Sequence, residues 1–131
     1  MAAKGKAKMI DIFVWQISTG EVLAHLNNFH RGAIKKLAFS PAGDKLLSIG
    51  EDEKNSVAIY DWANKRVLCS SPVDPDKVLD ACWKDETEFA TVGLKHVKFF
   101  NIQGINMTMS KGLYGAGGVV PMIACNYAFQ E

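Results

Sequence analysis

"LLSIGEDEKNSVAIYDW", residues 46–62, is two short apolar runs separated by a polar, acidic turn. The first run, 46–49, is aliphatic with one serine. The second, 56–62, is β-branched and aromatic and ends in Tyr60-Asp61-Trp62. Runs of four to seven such residues bounded by turn formers read as strands, and a short polar link between two of them reads as a hairpin. The same texture continues outward in both directions. Strands are predicted at 10–16, 21–26, 34–39, 45–49, 57–61, 66–70, 78–83, 88–92, 96–101, 107–110 and 122–129. No window of a dozen residues carries helical spacing of apolar positions. Several of the strands have few polar interruptions, which suits burial on both faces between other sheets. In "FSPAGDKL", Pro41 presets the φ of a turn and Gly43 stands where a positive φ is cheap. Gly20 closes a similar turn in "ISTGEV".

The pattern repeats. "VWQISTGEVLAHL" (14–26) aligns with "IYDWANKRVLCSS" (59–71), so Val14-Trp15 recurs 45 positions on as Ile59-Tyr60. A third copy lies at Phe99-Phe100, another 40 positions on. The preceding strands recur too: "IKKLAFSP" (34–41) matches "VLDACWKD" (78–85), and "MIACNYAFQ" (122–130) matches again. A four-strand unit recurring every 40–46 residues has the spacing of a β-propeller blade. The predicted fold is all-β, with antiparallel four-stranded blades of a partial propeller, about two to three blades in extent. Its expected divisions are a flexible basic arm at 1–8 and a propeller segment at 9–131. Within the latter, 9–26 is the end of one blade, 33–71 a complete blade, 77–111 a second, and 119–131 the start of a further one.

Bulk properties narrow the function. A chain of 131 residues fits one domain, and 48% hydrophobic with 22% charged residues is globular rather than disordered composition. A net charge of +1 offers no argument for nucleic acid. No apolar run approaches the roughly 20 residues that span a bilayer, and no apolar stretch after Lys4, Lys6 and Lys8 is long enough for a signal peptide. Cytoplasmic localisation is the expectation. Three cysteines, widely spaced and without a CxxC, argue against a disulfide framework or a zinc ribbon.

Candidate chemistry is sparse. His25, His30 and His96 have no second ligand at metal spacing and read as structural or solvent-facing. Asp80, Asp85, Glu86 and Glu88 flank one strand and its turn and read as a solvated edge. Cys82 beside Trp83 reads as a small core hydrophobe. "GLYGAGGVV" lacks the lysine of a phosphate loop and no helix pattern follows it. The expectation is a non-catalytic protein without metal or cofactor.

"AFSPAGDKLLSIGEDEKNSVAIYDW" (38–62) resembles a WD-repeat blade in its strand order and turn residues. The resemblance implies a hydrogen-bonded set of Ser48, Asp52 and Tyr60, with His30 as a looser match. Pro41, Gly43, Asp61 and Trp62 join it as structural blade positions, Tyr60 and Asp61 standing at the Trp-Asp position that ends the third strand. The next unit departs: Thr91 and Phe99-Phe100 fit, but 93–95 supplies no aspartate. Three stretches, "RGAIKKLAFSPAGDKLLSIGEDEKNSVAIYDW" (31–62), "VGLKHVKFFNIQG" (92–104) and "KGLYG" (111–115), resemble the echinoderm microtubule-associated protein-like family, in the same order. That implies a scaffold binding a protein partner, tubulin or microtubules, in the cytoskeleton and in a cilium or flagellum. No nucleic acid or membrane partner is implied. A general adaptor unrelated to microtubules is the alternative. Binding residues concentrate on loops held by a rigid frame, so the rim loops 27–32, 51–55, 72–77 and 113–118 are candidates. Phe29, His30, Arg31 and Tyr114 are the protein-binding residues within them. The truncated blades imply a piece of a longer protein or completion by another propeller segment.

Overall fold

Strands β4 (Lys45–Gly50) and β5 (Val57–Asp61) form the middle of the structure, a computed structural model that describes residues 9–27, 29–94 and 96–111. Leu47, Ile49, Val57 and Ile59 are completely buried, and so are Ser48 and Ala58 between them. A pair of strands buried on both faces needs a layer on each side, and the chain supplies both.

Around this pair, β3 (Ile34–Phe39) and β6 (Arg66–Ser71) complete a four-stranded antiparallel sheet in the order β3-β4-β5-β6. A second sheet of four follows, β7 (Val78–Trp83), β8 (Glu88–Gly93), β9 (Val97–Gln103) and β10 (Asn106–Lys111), again paired in sequence order. Ahead of both lies a sheet of two strands, β1 (Ile12–Trp15) and β2 (Val22–Leu26). These are sheets one (β1-β2), two (β3–β6) and three (β7–β10) in chain order. Short hairpin connections make this succession of neighbours the simplest topology. The strand expectations at 107–110 and 96–101 are each extended or shifted by one or two residues. The strand expected at 122–129, the arm at 1–8 and the blade start at 119–131 lie outside the described residues.

The three sheets stack face to face. Each turns a forward face to the next sheet and a back face to the previous one. Ile12, Val14, Ala24 and Leu26 on the forward face of sheet one pack with Leu46, Ala58 and Tyr60 on the back face of sheet two. Leu47, Ile49, Val57, Ile59 and Cys69 on the forward face of sheet two pack with Trp83, Phe89, Phe100 and Ile102 of sheet three. Phe89 and Phe100 stack with centroids 4.7 Å apart, and Trp83 lies tilted 5.5 Å from Phe89. Each fully buried Ile, Val or Leu here contributes roughly 1.5–3 kcal/mol relative to exposure. Polar ties set the spacing between sheets two and three. Trp83 Nε1 donates to the Ala38 carbonyl at 3.0 Å, and Lys36 pairs with Asp80 at 3.0 Å. At one rim Glu86 accepts from the Ala42 N–H and meets Lys45 at 3.4 Å.

That rim also holds the Tyr-Asp-Trp sequence. After β5 the chain makes a single 3-10 turn, Trp62–Asn64, and Lys65 closes it with φ 58°. Asp61 accepts from Asn64 Nδ2 at 2.8 Å and from Arg66 Nε at 3.3 Å. Trp62 Nε1 donates to the Gly43 carbonyl at 2.8 Å and its ring meets Phe39 edge-on. The pair therefore locks the β5–β6 turn onto the β3–β4 turn. In the latter, Gly43 has φ 84° and donates its N–H to Ser40 at 2.8 Å. A side chain at Gly43 meets no atom within 4 Å, so backbone strain alone decides the cost. Gly43→Val is expected to destabilise the fold by about 1–2 kcal/mol through strain at positive φ. A denaturant titration against Gly43→Asn, which tolerates that region better, should show the valine variant as the weaker of the two.

Candidate functional site

The opposite rim gathers three loops. The segment after β2, the turn between β4 and β5, and the connection between β6 and β7 are joined by main-chain bonds. Glu51 N–H donates to the Ala33 carbonyl at 2.9 Å, and the Val73 and Asp74 N–H groups both donate to Lys54 at 3.1 and 2.9 Å. Asn55 adopts φ 50° and its buried amide donates to the Asp74 and Asp76 carbonyls at 2.8 and 3.0 Å. The result is a continuous surface made from loops that are distant in sequence.

Beneath it sits a histidine-centred network. His30 is 3% exposed, and its Nε2 shares a 2.6 Å hydrogen bond with the Ser48 hydroxyl. Ser48 in turn bonds the Tyr60 hydroxyl, which offsets part of the upward shift that burial gives the phenol. Asp52 accepts the Ser56 N–H at 2.7 Å. Burial raises the Asp52 pKa, but bonds from Ser56 and neighbouring main-chain groups outweigh it, leaving the carboxyl below its ordinary value. Burial is also the largest influence on His30, and lowers its pKa below 6.5 in spite of the Asp52 charge and Ser48. The imidazole stays neutral and acts as a rigid connector. The arrangement holds the loop ahead of β3 to the middle of the sheet.

The ring has a second support. A Cβ built on Gly50 would stand 2.5 Å from His30 Nδ1, so the absent side chain is what lets the imidazole lie on β4. Sheet three repeats this relationship with different parts. Gly93 occupies the place of Gly50, and a Cβ there would stand 2.1 Å from His96 Cε1. His96 comes from the β8–β9 turn, whereas His30 comes from the loop before β3. Thr91 stands at the Ser48 position, and among the described residues its hydroxyl and both His96 nitrogens lack a hydrogen-bond partner. A buried ion pair replaces the network: Lys98, 6% exposed, meets Asp74 at 2.8 Å and donates to the Val73 carbonyl. Burial raises the Asp74 pKa, yet the Lys98 bond and the Asp76 N–H outweigh it and hold the carboxylate ionised. Sequence comparison pointed to the missing aspartate of this unit but not to Lys98. Its position opposite Thr91 in the β8–β9 register was the available signal.

The predicted contact residues separate on inspection. His30, expected among the rim contacts, is buried and turned toward Ser48, which removes its ring from the surface of these residues. Phe29 is half-buried, edge-on to His30 at 4.8 Å, and packed against the core between sheets one and two. Arg31 is exposed and its backbone bridges Met9. Tyr114 lies outside the described residues. Pro41 is exposed on the far rim with Gly43, Asp61 and Trp62.

The acidic cluster is dispersed into structural roles. Asp85 accepts from the Thr87 and Glu88 N–H groups, Glu88 meets Lys84, Glu86 reaches sheet two and Asp80 pairs with Lys36. His25 pairs with Asp11 at 2.8 Å and stacks on Phe13. Cys82 is half-buried in β7. A cleft of about 380 Å³ between β3 and β7 is lined by Lys35, Lys36, Lys77, Glu51 and Asp80 among others. Its lining residues include no nucleophile with an adjacent base. Among the described residues no group of three His, Cys, Asp or Glu side chains could hold a metal ion, and no helix is long and apolar enough to cross a membrane.

Two outcomes test the network. Gly50→Ala should displace His30 from Ser48 and cost about 1–3 kcal/mol, the range for overpacking a filled core, read by urea unfolding. Because the folded pKa of His30 lies below its unfolded value, the stability it confers is complete above pH 6.5 and is lost as pH falls beneath that toward the folded pKa. His96 shifts the same way, also mainly through burial. The melting midpoint should therefore fall between pH 7.5 and pH 5.5, and His30→Asn should flatten that fall.

No family model matches the chain. Human cilia- and flagella-associated protein 52 is 39% identical over 62 residues, 47% of this chain and 10% of that protein. The 77 kDa echinoderm microtubule-associated protein of Lytechinus variegatus is 26% identical over 119 residues, 86% of this chain and 17% of that protein. The chain thus spans a tenth to a sixth of the length of these relatives. Among solved structures, the Cps50 (Swd1) β-propeller domain of Myceliophteria thermophila superposes with a TM-score of 0.65 over 77% of this chain and 32% of that one, at 18% identity. The stacked antiparallel sheets, their 40–46-residue period and these likenesses agree. The chain is a partial WD-type β-propeller, similar in sequence to the echinoderm microtubule-associated proteins and to cilia- and flagella-associated protein 52.

Proposed function

We propose that the chain is a non-catalytic interaction module of a tubulin- or microtubule-associated assembly in the cytoskeleton, including that of a cilium or flagellum. The observation that carries this reading is the 119-residue similarity to an echinoderm microtubule-associated protein, which runs through both four-stranded sheets rather than one motif. The loop-built rim supports it physically. Main-chain bonds tie three loops into one surface, and such a preordered surface binds a protein partner with little further ordering cost.

In this reading residues 33–71 and 77–111 are the two complete blades, and the rim loops make the specific contacts. Arg31 supplies the exposed cation, and Tyr114 the aromatic that protein interfaces favour. Phe29 presents one edge, while His30 braces the loop from below. The lysines of 1–8 add only a long-range, salt-screened attraction to an acidic partner.

Co-sedimentation with polymerised tubulin tests the proposal in the longest parent protein that contains this segment. Arg31→Glu with Tyr114→Ala should weaken sedimentation at least several-fold. Deletion of residues 1–8 should cause a small loss that disappears as salt rises. Full loss on deletion, with the loop variant unaffected, would transfer the binding role to the arm. A parent that does not bind tubulin at all would leave the general adaptor as the function.

A further inference from the structure

The two four-stranded sheets hold an imidazole and a carboxylate at the same rim, but from exchanged elements. In sheet two the loop before β3 supplies the imidazole, His30, and the β4–β5 turn supplies the carboxylate, Asp52. In sheet three the connection before β7 supplies the carboxylate, Asp74, and the β8–β9 turn supplies the imidazole, His96. Main-chain bonds fix the equivalence of these elements. Glu51 N–H donates to the Ala33 carbonyl just ahead of β3, and Leu94 N–H donates to the Lys77 carbonyl just ahead of β7, at 2.9 and 3.1 Å. The exchange alters what a proton meets. His30 has the Ser48 hydroxyl at 2.6 Å. His96 has Asp74 Oδ2 at 3.7 Å, and Lys98 Nζ already holds that same oxygen at 2.8 Å. The other oxygen, Oδ1, takes the Asp76 N–H at 2.8 Å. The charged groups that face the ring are thus Asp74 and Asp76 of the β6–β7 connection and Lys98 of β9. Among the described residues neither ring nitrogen has a hydrogen bond, and the ring is seated against the Gly93 backbone.

We propose that His96 is a proton-operated latch on the β8–β9 turn: once protonated it competes with Lys98 for Asp74 Oδ2, leaves its seat on Gly93, and frees the Leu94–Lys77 bond that ties the turn to the β6–β7 connection. One carboxylate cannot neutralise two buried cations, and an imidazolium without an acceptor of its own bears the full cost of burial. The direction follows from the groups around the ring. Burial lowers the His96 pKa most, Asp74 opposes that, and Lys98 adds to the lowering. With the closed form below the ordinary 6.5, the closed turn is fully favoured above pH 6.5 and loses ground as pH falls beneath it. Sheet two keeps its own turn better over the same range, because no second cation contests the partner of His30. Sheet three therefore opens locally at this rim before the sheets separate.

The test is amide hydrogen exchange on the 131-residue chain at pH 7.5 and pH 5.5, corrected for the intrinsic pH dependence of exchange, with Leu94 compared against its counterpart Glu51. In the unaltered chain the protection of Leu94 should fall several-fold more than that of Glu51. His96→Phe keeps a ring on Gly93 and takes no proton, so the two amides should then respond alike. Lys98→Met removes the competing cation, so acid should leave Leu94 protection unchanged or raise it as His96 pairs with Asp74. The change with pH is read in each variant, whatever its baseline. Should either variant fail to fold, His96→Gln and Lys98→Gln carry the same comparison. Equal losses at Leu94 and Glu51 in the unaltered chain overturn the proposal, as does a His96 variant that keeps the excess loss. A Lys98 variant with the full acid loss at Leu94 overturns it too, because burial alone, rather than competition for Asp74, would then drive the opening.

Discussion

Everything in this structure depends on the burial of sheet two from both sides. Leu47, Ile49, Val57 and Ile59 point one way, Leu46, Ala58 and Tyr60 the other, and none of the seven is more than 3% exposed. A sheet apolar on one face needs one partner; this one needs two. The requirement sets the layered order of the molecule and propagates outward, because each partner sheet is itself apolar on its far face. That is the physical content of a propeller segment: a repeated interface rather than a single enclosed core.

The polar ties act within that frame and tune it. Both four-stranded sheets end their second strand in a glycine covered by a histidine ring, Gly50 under His30 and Gly93 under His96. In sheet two the ring is bonded onward to Ser48, and the hydroxyl, phenol and carboxylate around it are satisfied. In sheet three the equivalent volume holds an ion pair of Lys98 with Asp74, beside a threonine hydroxyl without a hydrogen-bond partner among the described residues and a His96 ring that makes no such hydrogen bond but lies 3.7 Å from the Asp74 carboxylate. A buried pair costs several kcal/mol of desolvation per ion, which the attraction and the Val73 carbonyl must offset. Sheet three therefore rests more on its aromatic stack of Trp83, Phe89 and Phe100 than on its polar groups.

Much of the frame was legible in the residues. Alternation, turn formers and the 40–46-residue period located the strands of both blades to within a residue or two, since those features are local or depend on simple repetition. The left-handed Gly43 followed from its place two residues after Pro41. The rim was harder. His30 carried two readings, a rim contact and a looser member of the Ser48 set that the resemblance implies, and its 2.6 Å bond to Ser48, 18 positions away, favours the second. The roles of Glu86, Asn55 and Lys98 were hidden altogether. Each reaches a group on another strand or another sheet, and no spacing rule anticipates such a contact.

The sequence by itself determined that this chain makes short antiparallel strands, that they recur as blades, and that some strands must be buried on both faces. These are consequences of side-chain period and turn chemistry, which act within a few residues. Only the tertiary structure decided which face of each sheet meets which neighbour. It also decided that Asp61 and Trp62 fasten one turn to another at the far rim, and that a lysine lies buried where the other blade has an alanine. Those outcomes depend on the distance between groups from separate strands, which the stacking of whole sheets sets.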